Sequence, residues 1–224
     1  MKILLSLLML LTFAAMQSQA DDRRVLSEPK EWVDANSPKN PDPKLPNVLL
    51  VGDSITRGYY PSVSADLKGK ANCYFFASSC SVGDPRLAGK LADFFAKPHP
   101  DFAVIHFNNG MHGWGYTEVE YKTYFHELTD SLRQAQPKAQ LIWASTTPVL
   151  STSPPDTGKN ARIDARNASA LEYVTGQHIP LDDLHALMLQ HQNLHKGDIH
   201  YQPAGYDLLA RQAADSILKL LPGA

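Results

Sequence analysis

The sequence predicts an α/β protein, a three-layer α/β/α sandwich on a five-stranded parallel sheet. Three observations carry this expectation. Five short apolar runs are spread along the chain, helical stripes lie between them, and the runs are apolar at successive positions. Strands apolar on both faces suit a parallel sheet covered by helices above and below. The chain has 224 residues, 43% of them hydrophobic, which is enough for one domain with a substantial core. Lys plus Arg is 21 against 23 for Asp plus Glu, so the basic excess expected of a nucleic-acid binder is missing. The composition is also too apolar for a disordered chain.

The first element stands outside the fold. Met1-Lys2 is followed by the apolar run Ile3 to Ala15 and then by Ser18-Gln19-Ala20. A positive start, a short apolar run and small residues predict a secretory signal peptide over 1–20, cleaved after Ala20. The run is too short for a bilayer span, which needs about 20 residues. No later stretch is long enough, and no Cys lies near the cleavage point for lipid attachment. The expectation is a secreted or periplasmic protein with no membrane anchor.

Residues 21–46 carry Pro29, Pro38, Pro41, Pro43 and Pro46 and read as an extended arm or linker, with Trp32 and Val33 pinning it to the body. The domain proper is expected over 47–221. Its strands are Asn47–Val51, Cys73–Ala77, Phe102–Phe107, Gln140–Ala144 and a weaker Ile179–Leu184. From Thr117, the residues Tyr121, Tyr124, Phe125, Leu128, Leu132 and Ala135 recur at helical steps, and Thr117 with Glu120 fits a capping box. Ile163, Asn167, Ala170, Leu171 and Val174 form another stripe. Pro203 suits the first position of the last helix, which buries Tyr206, Leu209, Ala210, Ala213 and Ile217. Cys73 and Cys80 are too few for a disulfide scaffold; two separate thiols are expected, with a bridge open in an exported chain.

Ligands of open α/β sheets bind beyond the carboxyl ends of the strands. Four strand ends carry candidate chemistry. Gly52-Asp53-Ser54-Ile55-Thr56 puts a Ser where strand turns into helix, a place for a nucleophile, for an oxyanion-binding N–H or for an ordinary cap. Ser81-Val82-Gly83-Asp84 offers a glycine whose backbone can approach a ligand. Asn108-Asn109-Gly110-Met111-His112-Gly113-Trp114 offers a carboxamide donor. Gly197-Asp198-Ile199-His200 pairs a His with a nearby carboxylate, the usual base and orienter.

Together these blocks resemble the SGNH (GDSL-type) esterase and lipase superfamily over about 47–220. The resemblance implies a flavodoxin-like SGNH hydrolase fold, Ser54 as nucleophile and His200 as base. It implies Gly83 and Asn108 as oxyanion donors beside the Ser54 N–H. The family's Gly-x-Asn-Asp reads His106-Phe107-Asn108-Asn109 here, so Asn109 is an alternative donor. The family's Asp three residues before the His is Gly197 here; either Asp198 takes its role, or a carbonyl or water orients His200. Asp53, His112 and Trp114 are expected on the substrate side. No cofactor or metal is implied. His191 and His195 have ligand spacing, but the Glu of H-E-x-x-H and a third ligand are missing.

The expected activity is ester hydrolysis through an acyl-enzyme. The expected substrate is a small-molecule or polysaccharide ester, with deacetylation of carbohydrate favoured by the aromatic and polar stretch Met111–Tyr116. A lipase, lysophospholipase or thioesterase of the same superfamily is the alternative. A domain that binds acylated glycan without turning it over is the alternative from another class.

Overall fold

The computed structural model describes residues 24–97, 101–108, 110–150 and 158–221; the expected signal segment 1–20 and Asn109 lie outside them. Strands β1 (Val33–Asn36), β2 (Asn47–Gly52), β3 (Asn72–Ser78), β4 (Val104–Phe107), β5 (Gln140–Ala144) and β6 (Leu181–Asp182) form one sheet in the order β1-β3-β2-β4-β5-β6. The five strands from β3 to β6 are parallel, and β1 pairs antiparallel with β3, Val33 opposite Ser78 and Asn36 opposite Phe75. The sheet is therefore six-stranded, not five-stranded. The added strand comes from the stretch expected to be an extended arm or linker. Its prolines flank Val33–Asn36 without entering it, so those four residues keep their donors for an edge pairing.

Among the described residues, six helices surround the sheet: α1 (Ser54–Asp66), α2 (Pro85–Phe95), α3 (Glu118–Ala135), α4 (Lys159–Gly176), α5 (Leu184–Leu189) and α6 (Pro203–Leu218). Alternation along the strands sorts the core into two layers. Val48, Leu50, Phe75, Val104 and Ile142 face α1, α5 and α6. Leu49, Val51, Phe76, Ile105, Phe107 and Trp143 face α2, α3 and α4. The capping box at Thr117 forms as the spacing predicts, with the Glu120 N–H donating to Thr117 Oγ1 at 3.2 Å and the Thr117 N–H to Glu120 Oε2 at 2.7 Å. That exchange and Arg24 bring the Glu120 carboxyl down to about 2.

A polar cluster interrupts the apolar core. His106 in β4 and Asp182 in β6 are buried and meet at 2.8 Å, across β5 where Ala144 leaves room. Gln212 donates to the other Asp182 oxygen at 2.8 Å. Cys73 and Cys80 are separate buried thiols, and burial pushes Cys73 up to about 12. His191 and His195 fall on either side of a short 3-10 helix (Gln192–Leu194) and share no helical face. Among the described residues, no helix is long and apolar enough to cross a membrane.

Candidate active site

The site lies at the carboxyl ends of β2, β3 and β4. Asp53 closes β2 and is 1% exposed. Its Oδ1 accepts the Ile55 N–H at 2.9 Å, so it is the N-cap of α1. A capping carboxylate satisfies an orphan donor and complements the helix dipole. It also fixes Ser54 as the first helical residue, half-exposed at the sheet's rim.

A hairpin of β7 (His195–Lys196) and β8 (His200–Tyr201) comes back to this rim from just before α6. Tyr201 anchors it by donating to the Pro148 carbonyl at 3.0 Å. His200 Nε2 stands 3.1 Å from Ser54 Oγ, across 146 positions of sequence. Partial burial lowers the His200 pKa; Asp53 opposes that shift, while Arg57 and His112 add to it.

The hairpin explains the unusual spacing before the His. Gly197 sits at the turn with φ +70°, a conformation that a side chain at this position strains against. An Asp there would be disfavoured, and the carboxylate falls one residue later. Asp198 is exposed, its carbonyl accepts the Leu150 N–H at 2.8 Å, and its charge acts on His195. The carboxylate whose field raises His200 is Asp53.

Gly83 follows β3 in a crowded place. A Cβ there would come within 2.7 Å of Tyr124 and 2.8 Å of Tyr116, so the chain passes because the residue is Gly. Among the described residues, neither the Ser54 nor the Gly83 backbone N–H has a protein acceptor. Asn108, an expected oxyanion donor, already has side-chain partners. Its side chain is buried, donates to the Ala144 carbonyl at 2.6 Å and takes the Gly110 N–H on its own oxygen at 3.3 Å. It lines a small internal cavity with Thr56, Tyr59, Ser145, Thr147 and Leu184. One amide hydrogen is committed to fastening β4 to β5.

The loop after β4 is held by two arginines that the sequence reading passed over. Arg166 is fully buried and donates to the carbonyls of Gly110 at 3.2 Å, His112 at 3.0 Å and Gly113 at 3.0 Å, and to Glu118 at 2.8 Å. Arg162 donates to the carbonyls of Trp114 and Tyr116, each at 2.6 Å, and pairs with Glu118. The signal was present: Arg166 falls on the stripe of Ile163, Ala170 and Val174, where a charge must be buried and therefore paired. Trp114 lies beneath both guanidinium groups and packs with Met111, Val149 and Ile163, so its ring covers the core edge. Asn167 on the same helix is a satisfied amide, accepting from and donating to the Thr146 backbone at 2.9 Å each.

His112 faces the arm. Its Nδ1 is 3.1 Å from Glu28 Oε1, and its Nε2 is buried without a partner. Ser–His contact, two uncommitted N–H groups and an oriented loop suit nucleophilic attack on a carbonyl. Among the described residues, no cluster of His, Cys, Asp and Glu could hold a metal ion.

Similarity to known proteins agrees with this arrangement. The solved structures that resemble the chain include a lipolytic protein of the G-D-S-L family from Veillonella parvula DSM 2008, with TM-score 0.58 at 20% identity, covering 75% of this chain and 96% of that one. An acetyl xylan esterase, AlAXEase, superposes with TM-score 0.64 at 15% identity over 76% of this chain and 99% of its own. A GDSL-like lipase from Bacteroides thetaiotaomicron VPI-5482 gives 0.58 at 18% identity, over 78% and 89%. At such identities the likeness is one of fold. No curated protein matches the chain. Residues 50–208 match the model of the GDSL-like lipase/acylhydrolase family. The chain therefore belongs to that family and is a serine ester hydrolase.

Proposed function

We propose that the protein is an exported esterase that removes small acyl groups, acetyl foremost, from carbohydrate. Ser54 Oγ attacks the ester carbonyl as His200 Nε2 takes its proton. The backbone N–H groups of Ser54 and Gly83 hold the developing oxyanion, and an amide of the Asn108-Asn109 pair completes the hole. His200 then returns the proton to the leaving alkoxide, and water repeats the sequence on the acyl-enzyme. The single observation that carries this reading is the 3.1 Å Ser54–His200 contact, within the reach a nucleophile–base pair needs. The likeness to a solved acetyl xylan esterase supports the choice of a carbohydrate ester over a lipid. Export rests on the signal-like residues 1–20.

A chain-length series of p-nitrophenyl esters run beside acetylated glycans tests it. The reading expects acetyl esters to be turned over with the highest kcat/KM and acetate to be released from glycan. Preference for long acyl chains would replace it with a lipase.

A further inference from the structure

The arm brings an indole to the rim of the site. Trp32 is held at both backbone groups by Ser79: its N–H donates to Ser79 Oγ at 2.9 Å, and its carbonyl accepts the Ser79 N–H at 3.2 Å. Glu31 beside it accepts from Ser79 Oγ at 2.8 Å and from Arg86 at 3.0 Å. The backbone that carries the ring is thus held in place before any ligand arrives. The guanidinium of Arg57 lies 4.1 Å from the centre of that ring. Arg57 follows Ser54 by three residues in α1, so the two share one face of the helix. Its charge is felt at His200 and at Tyr206.

Arg57 pairs differently from the arginines that hold the arm and the loop after β4. Arg24, Arg86, Arg162 and Arg166 each meet a carboxylate. Arg57 is exposed, and among the described residues no carboxylate or hydrogen-bond acceptor engages it. A guanidinium stacked on an indole keeps its N–H edge free for a planar, bidentate acceptor, the geometry of a carboxylate. The ring that supports it adds apolar surface for a sugar face.

We infer that Arg57 and Trp32 form a subsite for a carboxylate-bearing sugar, so that the preferred substrate is an acidic glycan acylated next to a uronic acid group. The inference rests on the carbohydrate-ester reading and narrows it.

The test compares acetate release by the full-length mature protein from an O-acetylated methyl glucuronoside and the matching O-acetylated methyl glucoside, which differ by one carboxylate. The wild type is expected to favour the acidic glycoside by about tenfold in kcat/KM, as one charge-assisted contact allows. Raising the salt concentration is expected to shrink the preference. Arg57→Ala is expected to bring the ratio near one, and Arg57→Lys, which keeps the charge without the fork, to leave it between. Trp32→Ala is expected to weaken both glycosides. An equal rate on the two sugars in wild type, or a preference that survives Arg57→Ala, overturns the inference. Hydrolysis of p-nitrophenyl acetate with no acetate from either glycoside overturns it together with the carbohydrate reading, while ester hydrolysis stands.

Discussion

At the residue scale, the proton balance of His200 decides when the site works. The imidazole must be neutral to accept the Ser54 proton. Burial favours the neutral ring, so His200 titrates below its ordinary value of 6.5. The acid limb of kcat/KM is expected to have its midpoint below 6.5, read from a pH–rate profile on an acetyl ester. Asp53 works against that shift. Asp53→Asn keeps a competent N-cap but removes the charge. The limb is expected to move to still lower pH, whereas Asp198→Asn leaves it in place; a shift in the Asp198 variant alone would assign the orienting role to Asp198. The sequence placed Ser54, His200 and Gly83 at strand ends because their blocks keep recognisable spacing. It left open whether Asp198 or another group orients His200; the structure adds a left-handed φ at Gly197 and a buried Asp53 whose charge acts on His200, and neither is a matter of composition.

At the scale of elements, the loop 110–116 and the hairpin 195–201 are oriented by groups far away in sequence. Arg166 satisfies several loop carbonyls and pairs with Glu118. Removing one partner of a buried pair is costly. Arg166→Met is expected to lower stability by about 3 kcal/mol in denaturant unfolding, with kcat falling further than the loss of folded protein explains. Stability unchanged to within about 0.5 kcal/mol would show the clamp to be idle. His195 sits in β7 with both ring nitrogens buried and unpartnered, its ring against Tyr201 at 4.4 Å. Burial lowers its pKa, so the folded state favours the neutral ring. That contribution is complete above the unfolded value and is lost as pH falls. His195→Phe keeps the stacking and is expected to reduce the drop in Tm on acidification; an identical acid profile would remove His195 from the cause. Periodicity found α3, α4 and α6 because their buried stripes are long. The six-residue α5 is too short to show one.

For the whole molecule, the arm is extended and pinned at Trp32 and Val33 as the sequence suggests, and it adds an edge strand that composition did not show. Prolines argued for a linker, and they do bracket an extended segment. Four residues between them nonetheless cover the edge of β3, and Glu28 and Trp32 reach the site. Removing residues up to Asn36 bares the Asn72–Ser78 edge, an apolar strand in which every residue is buried. Uncovered edges of that kind recruit other chains. The truncated protein is expected to elute as oligomers in size-exclusion chromatography and to lose Tm; a monomer of unchanged Tm would make the arm an accessory. The two-layer sorting of the core was readable, because strands apolar on both faces need helices on both sides. The partners of the buried His106 were not, because Asp182 lies two strands away.

The central claim is that Ser54 is the nucleophile and His200 its base, and active-site labelling tests it most directly. An alkyl fluorophosphonate is incubated with the protein, and the modified residue is located by mass spectrometry. The account predicts one adduct, on Ser54, absent from Ser54→Ala and slowed severely in His200→Ala. Ester hydrolysis is expected to fall in parallel by roughly 10⁴-fold or more in both variants. An adduct on another residue, or esterase activity that survives Ser54→Ala, would contradict it.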